Sequence, residues 1–253
     1  MRLALLIACM FPMVSAAECV TRSGPATAAL VELYTSEGCS SPPADRWLSG
    51  LKALAGKAAV VPLGFHVTYW DYIGWRDAFA DERHTARQRA RAAASGARYV
   101  YTPQVVVGGR DFRDWRRGDA FERAVDTINR ASPRADLEIH VRPAAGGRLE
   151  VEARARLAPG VPGNDLVLAV AATQNGLASR VSAGENRGEH LRHDFVVRDF
   201  AEARIRPVPG SAGAKATFAL RGGPGGGAVS AAAFVQNVRT GEVLQAVAAP
   251  PCG

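Results

Sequence analysis

The segment Leu33-Tyr34-Thr35-Ser36-Glu37-Gly38-Cys39-Ser40-Ser41-Pro42-Pro43-Ala44-Asp45 places a cysteine between two different patterns. Ala28–Tyr34, which leads into it, is short and apolar and predicts a β-strand. Ala44–Ala55 has a helical pattern, and proline is tolerated in the first turn of a helix. Cys39 would then lie at a helix N-terminus, where free N–H groups and the helix dipole favour the thiolate. Cys39 is therefore the candidate catalytic nucleophile, and the alternative is a buried, inert thiol.

The rest of the chain changes character near Ser132-Pro133. Strand and helix patterns alternate before this point, which is typical of an α/β layer. Apolar stretches of strand length, separated by glycine and proline, follow it and are typical of an all-β sandwich. We therefore expect an α/β domain over residues 18–133 and a β-sandwich domain over residues 134–253.

The first 17 residues have the features of a secretory signal peptide, with a positive start, an apolar run over Leu3–Met13 and small residues before the cleavage site. Leu6-Ile7-Ala8-Cys9 also matches a lipoprotein acylation site, so lipid anchoring at Cys9 is the alternative to simple export. No later stretch is long and apolar enough to span a membrane. We expect a periplasmic or secreted protein without stable membrane insertion.

The charge and the cysteine content of the chain limit its possible binding partners and disulfide bonds. The chain has 31 lysine and arginine residues against 24 aspartate and glutamate residues, a net charge of +7. A basic balance can indicate nucleic acid, but export argues against that partner. Removal of the signal peptide leaves Cys19, Cys39 and Cys252, an odd number for an oxidising compartment. Because chain termini often lie close together, we predict a Cys19–Cys252 disulfide with Cys39 free. The alternative is a bond from Cys39 to one of the other two.

A second landmark is Tyr101-Thr102-Pro103-Gln104, just before the apolar run Val105–Val107. A proline ahead of a central strand needs a reason, because it removes a hydrogen-bond donor from the sheet. In thioredoxin-like folds a cis-proline at this place packs against the active-site cysteine and leaves the preceding backbone free to bind a peptide. Thr102 and Pro103 are therefore candidate substrate-binding residues; the alternative is a trans-proline that starts a strand.

The chain resembles the predicted-secreted bacterial proteins of domain-of-unknown-function family 1223, and this resemblance implies a thioredoxin-like fold. The matching stretches are Val31–Asp45, Phe65–Trp75, Tyr101–Val107, Gly184–Gly188 and Val196–Arg198. The family turn usually reads Cys-Ser-Ser-Cys-Pro-Pro, whereas Ser41 here runs directly into Pro42. The second active-site cysteine is therefore missing. Thr68 also stands where the family commonly has aspartate.

Further candidate binding residues are Ser40, beside the cysteine, and three members of the aromatic segment His66–Trp75. These three are His66, Tyr69 and Trp70. The segment could form an aromatic wall that receives a peptide or small ligand. The alternative is that its tryptophans anchor the chain to the sheet.

Other chemistries have little support in the sequence. His190 and His193 are three residues apart, which puts them on opposite faces of a strand, and no carboxylate or cysteine completes a metal set. We predict no metal and no cofactor. The leading functional prediction is an exported thioredoxin-like protein in which Cys39 forms a mixed disulfide with a thiol-containing protein, peptide or small thiol. Such activity would be oxidoreductase-like but limited to one cysteine, with a Cys39 pKa below that of a free cysteine. The alternative is a non-catalytic binding module of the envelope that has lost dithiol redox activity.

Overall fold

The computed structural model describes residues 18–54, 59–145, 148–205, 213–223 and 225–252. The expected signal peptide over residues 1–17, including Cys9, lies outside the described residues. The described α-helices are α1 (Pro42–Gly50), α2 (Glu82–Ala94) and α3 (Gly118–Arg130). The described strands are β1 (Cys19–Arg22), β2 (Ala29–Thr35), β3 (Val60–His66), β4 (Gln104–Val107), β5 (Arg110–Asp111), β6 (Ala135–Ala144), β7 (Arg148–Leu157), β8 (Leu166–Gln174), β9 (Leu177–Arg180), β10 (His190–His193), β11 (Val196–Arg204), β12 (Gly213–Arg221), β13 (Ser230–Asn237) and β14 (Val243–Ala249).

An eight-stranded mixed sheet forms the centre of the protein, in the order β14-β13-β8-β11-β3-β2-β4-β5. The strand β3 is parallel to both of its neighbours, β2 and β11, whereas the other adjacent pairs are antiparallel. The contact between β11 and β3 pairs Val196 with Gly64. It joins strands from the first half of the chain to strands from the second half. A separate antiparallel sheet has the order β1-β6-β7-β12, and β9 pairs with β10.

The predicted fold class, an α/β thioredoxin-like domain followed by an all-β sandwich, is wrong. Strands dominate the described structure, and one large mixed sheet takes four strands from before residue 133 and four from after it. Periodicity shows which face of a segment is buried, but it does not show which strand lies beside it. The sequence pattern therefore did not reveal the pairing of β11 with β3. The division into domains at residues 133 and 134 stays a prediction.

The sheet is buried on both faces, and alternate residues of its central strands show this directly. In β8, Leu168 and Val170 face the four-stranded sheet, whereas Ala169 and Ala171 enter a second apolar cluster on the opposite face. A strand covered on both sides needs a continuous apolar sequence, as β8 has. In the first half, α1 and α3 pack on the β2 face that carries Leu33.

The Cys19–Cys252 disulfide is present, with the two Cα atoms 5.8 Å apart. It ties β1 to the segment that follows β14, so both ends of the described chain are fixed to the same part of the fold. Among the described residues, Cys39 is the free cysteine. No helix in the described ranges is long and apolar enough to cross a membrane.

Candidate functional site

Cys39 lies in the turn between β2 and α1, where it is only 2% exposed. Its Sγ atom is 2.6 Å from Ser41 Oγ. The Thr102 hydroxyl donates a hydrogen bond to Sγ at 3.0 Å. The thiol in turn donates to the carbonyl oxygen of Ser36 at 3.4 Å. The sulfur is thus enclosed by polar partners rather than presented to solvent.

The expectation of a lowered Cys39 pKa is wrong in direction. Burial raises the pKa of this thiol, and its hydrogen bonds with Ser41, Thr102 and Ser36 lower it by less. The helix also offers little to a thiolate, because α1 begins with Pro42 and Pro43, and proline has no N–H group. Two of the donors that normally make a helix N-terminus an anion site are therefore missing. Cys39 is a protonated thiol at neutral pH.

The structure brings Thr102 and Pro103 to the cysteine, with a cis peptide bond between them. The indole Nε1 of Trp70 donates to Thr102 Oγ1 at 2.7 Å. Since an indole N–H can only donate, the Thr102 oxygen accepts this bond and its own proton is left for Cys39 Sγ. Trp70 therefore orients the hydroxyl that contacts the sulfur. Within the described residues, the Thr102 amide and carbonyl make no backbone hydrogen bond.

The other predicted binding residues have different surroundings. Ser40 is exposed, and its amide donates to Glu185 Oε2 at 2.7 Å. The Tyr69 hydroxyl donates to Gln88 Oε1 at 3.1 Å, and burial raises the pKa of Tyr69 to about 12. His66 is 1% exposed and belongs to a separate buried cluster. Of the six predicted binding residues, Thr102 contacts the Cys39 sulfur directly, and both Trp70 and Tyr69 interact with the Thr102 side chain.

An aromatic surface that the sequence analysis missed borders Pro103. A cleft of about 270 Å³ is lined by Tyr99, Tyr101, Pro103, Arg113 and Trp115. The Tyr99 side chain is 66% exposed, an unusual state for a large aromatic residue. The signal of this surface in the sequence is Tyr99 and Tyr101, whose spacing of two residues places both side chains on one side of an extended segment.

A second group of buried polar side chains lies behind the Cys39 turn. His66 Nδ1 is 2.7 Å from Asp77 Oδ2, and His193 Nε2 is 3.0 Å from Glu37 Oε1. His193 Nδ1 lies 3.8 Å from Asp45 Oδ1. Burial lowers the pKa of His193, but Asp45 and Glu37 raise it more, to about 10. Burial raises the pKa of Asp77, but His66 and hydrogen bonds to the carboxylate lower it more.

The loop after β9 holds the turn in place. Asn186 Nδ2 donates to the carbonyl oxygens of Glu37 at 2.8 Å and Cys39 at 2.6 Å. The Glu185 amide donates to the carbonyl oxygen of Gly38 at 3.1 Å. Residues almost 150 positions away thus close over the cysteine turn, which explains the burial of the sulfur.

His190 and His193 face opposite sides of β10, as predicted, with His190 exposed and His193 buried. The sequence analysis found no carboxylate that completes a metal set with this pair. The fold supplies two, because Glu37 and Asp45 from the first half of the chain approach His193. Such a contact leaves no local sequence signal.

Comparison with known proteins identifies the class to which this β-rich, single-thiol protein belongs. The family model "Protein of unknown function (DUF1223)" matches residues 30–236, which is more than half of the chain. The chain therefore belongs to this family, as the sequence motifs indicated.

Two solved structures have a similar fold. Protein AGR_C_4864 from Agrobacterium tumefaciens is 24% identical, with a TM-score of 0.56, over 90% of this chain and 96% of that one. HBP35 of Porphyromonas gingivalis is 12% identical, with a TM-score of 0.63, over 90% of this chain and 78% of that one. At these identities the similarity concerns the fold alone. No curated protein matches the chain in sequence.

Proposed function

We propose that this protein is a periplasmic or secreted binding module that holds an extended peptide beside Thr102 and Pro103 and has no dithiol redox activity. The observation that carries the proposal is the environment of Cys39, which is buried and hydrogen-bonded on several sides. A surface that accepts a partner lies directly beside it. The backbone of Thr102 is unpaired among the described residues, and the tyrosine-lined cleft borders Pro103.

Loss of dithiol chemistry follows from the cysteine inventory. A dithiol cycle needs a second thiol that attacks the mixed disulfide at Cys39 and releases the partner. Ser41 has a hydroxyl 2.6 Å from Sγ, and a hydroxyl cannot take this role. Cys19 and Cys252 are already bonded to each other.

Binding would use the unpaired backbone of Thr102. An extended peptide can add to such a segment through main-chain hydrogen bonds, while side-chain pockets supply specificity. The cleft at Tyr99 and Tyr101 is suitable for an apolar or aromatic side chain of the peptide. Arg113 in the same cleft is already ion-paired with Asp111 at 3.1 Å, so its charge is largely compensated there.

Monothiol chemistry is the second candidate, and the hydrogen bond from Thr102 to Sγ favours it. The Cys39 thiolate would attack a disulfide of the partner. One S–S bond forms to Cys39 as the partner S–S bond breaks, and the released thiolate takes a proton from water. The raised Cys39 pKa makes this reaction slow at neutral pH, because the thiolate is the nucleophile.

One experiment separates the two candidates. A display library of extended peptides, with and without cysteine, is selected on the purified protein, and bound peptides are measured against the wild type, Cys39→Ser and Tyr99→Ala. Val20→Ala is the matched control, because Val20 is an exposed apolar residue on β1. The binding proposal expects unchanged affinity in Cys39→Ser and Val20→Ala, and a loss of about tenfold or more in Tyr99→Ala.

Mixed-disulfide chemistry at Cys39 predicts a different result. If selected peptides all contain cysteine, and Cys39→Ser abolishes their capture, the protein acts through a mixed disulfide. Incubation with oxidised glutathione followed by intact mass measurement would then show a glutathione adduct on the wild type only. Failure to select any peptide that depends on Tyr99 would reject the proposed binding surface.

A further inference from the structure

Three buried side chains from distant parts of the chain converge behind the cysteine turn. Asp45 comes from the first turn of α1, His66 from the end of β3 and His193 from the end of β10. Each offers one ligand atom, and these atoms all lie within 4.8 Å of one another. This convergence includes none of the atoms around Cys39 Sγ, so it is independent of the proposed peptide site.

Both histidines are held from behind by buried carboxylates. His66 contacts Asp77 through Nδ1, which leaves Nε2 for another partner. His193 contacts Glu37 through Nε2, which leaves Nδ1. Metal-binding histidines almost always have their second ring nitrogen fixed in this way, because the outer carboxylate sets the tautomer and the ring orientation.

The outer carboxylates are themselves fixed. Glu37 Oε2 accepts a hydrogen bond from Trp75 Nε1 at 3.0 Å. Asp77 accepts from the backbone amides of Glu37 at 2.9 Å and Phe79 at 2.8 Å. The two histidine rings therefore have little freedom to turn away from the position between them.

His193 Nδ1 is the most informative atom of the group. The His193 side chain is only 2% exposed, and Nδ1 has no hydrogen-bond partner. Asp45 Oδ1, at 3.8 Å, is too far for a hydrogen bond. A simple buried ion pair would close this gap to about 2.7–2.9 Å, because a charge-assisted hydrogen bond is short. The gap instead leaves room for a shared ligand between nitrogen and carboxylate.

We propose that Asp45, His66 and His193 bind one divalent transition-metal ion, with Zn²⁺ as the first candidate. Two imidazole nitrogens and one carboxylate oxygen are a donor set that zinc uses in sites with an open coordination position. Tetrahedral zinc bonds of about 2.0–2.1 Å separate ligand atoms by about 3.3 Å. The 3.8 Å gap between His193 and Asp45 needs only a small side-chain movement to reach this value.

The site is also reachable from outside. Asp45 and His193 line a cleft of about 230 Å³, together with His190 and Arg46 among others. An ion could enter there, and its open position would face the cleft. The two arginines in the lining, Arg46 and Arg192, favour water or an anionic group as the additional ligand.

The test measures zinc bound to the purified, untagged protein after treatment with a chelator. Metal content is determined by mass spectrometry of the dialysed protein, and affinity by competition with a chromophoric chelator. We expect one zinc ion per chain and a loss of about 100-fold or more in affinity for Asp45→Asn and His193→Gln. Glu37→Gln should cost about 10–100-fold, the range for loss of an outer partner.

Two control variants exclude other zinc sites. Cys39→Ser removes the free thiol. His140→Ala removes a histidine on β6 that lies near the carboxylates of Glu18 at 3.0 Å and Glu138 at 2.6 Å. Both controls should retain wild-type zinc affinity. The visible absorption of the Co²⁺-substituted protein should change in Asp45→Asn and stay unchanged in both controls.

Circular dichroism first establishes which variants are folded. Because Asp45→Asn keeps the shape of the side chain, it serves if His193→Gln does not fold. The proposal is overturned if the wild type binds no zinc, or if folded Asp45→Asn binds zinc as the wild type does. It is also overturned if His140→Ala or Cys39→Ser abolishes binding.

Discussion

Replacing Arg87 with methionine tests whether strands from the two halves of the chain fold as one unit. Arg87 on α2 donates to Glu32 Oε1 through Nε at 3.0 Å and Nη2 at 2.8 Å. Nη2 also donates to Gln236 Oε1 at 2.8 Å. Glu32 is on β2 and Gln236 on β13, so one guanidinium connects strands from both sides of residue 133.

The expected loss of stability follows from burial. The Arg87 and Glu32 side chains are 7% and 1% exposed. Methionine keeps much of the packing of Arg87 but leaves the Glu32 carboxylate buried without its cation. Removing one partner of a buried ion pair costs about 3–5 kcal/mol. Loss of the cation above the Phe200 ring, now 4.9 Å from its centroid, adds about 1 kcal/mol. We expect the free energy of unfolding to fall by roughly 4–6 kcal/mol.

Urea unfolding followed by two probes measures this effect. Tryptophan fluorescence reports on the first half, which contains all four tryptophans, and circular dichroism reports on strands throughout. Both transitions should shift together. The double variant Arg87→Met/Glu32→Gln should recover part of the loss, because it no longer leaves a buried charge unpaired. A loss below about 1 kcal/mol, or a shift of the fluorescence transition alone, would refute the reasoning.

Three further predictions concern the Cys39 thiol, one glycine and the disulfide. Burial raises the Cys39 pKa in the folded state, so the proton on Cys39 stabilises the fold below the ordinary pKa of 9.0, and this stabilisation is lost as pH rises through the folded value. When the urea midpoint is measured from below pH 9.0 to above it, the midpoint should fall more steeply with rising pH for the wild type than for Cys39→Ser. Equal slopes for the two proteins would contradict this prediction. Gly109 has φ of +85°, and an added Cβ would overlap the Gly241 carbonyl oxygen, so Gly109→Ala should lower the free energy of unfolding by about 2 kcal/mol or more. A wild-type melting temperature would count against that steric argument. The Cys19–Cys252 disulfide closes a sequence separation of 233, and Cys19→Ser/Cys252→Ser should lose up to about 5 kcal/mol in urea unfolding. Adding a reductant should lower the stability of the wild type by a similar amount. Unchanged stability in both experiments would exclude a stabilising role for the disulfide.

Local signals in the sequence predicted many of the individual elements. Helix α2 begins after Asp81, whose carboxylate accepts from the Arg83 amide at 2.8 Å, and the alanine- and arginine-rich composition of this run favours a helix. The sequence also predicted the strand at Val105–Val107 and the Thr102-Pro103 peptide bond that precedes it. These features depend on neighbours in the chain, which is why a single sequence contains them.

Long-range pairing was not predictable in this way. The β11 strand lies between β8 and β3 because of backbone hydrogen bonds, such as the one from the Gly64 amide to the Phe195 carbonyl oxygen at 2.8 Å. Backbone groups are the same in every residue, so no side-chain pattern specifies this neighbour. The approach of His193 to Glu37 across 156 positions is hidden for the same reason.

The Cys39 turn shows how such distant contacts reverse a local inference. Read alone, a cysteine before a helix should have a lowered pKa, because the helix end stabilises an anion. In the folded protein, Thr102 contacts the sulfur from one side and Asn186 fixes the Glu37 and Cys39 carbonyls from another. These contacts bury the sulfur, and the desolvation then raises the Cys39 pKa by more than the hydrogen bonds lower it. The same turn directs Glu37 towards His193, so the shielding of the thiol and the orientation of the buried histidine depend on one backbone conformation.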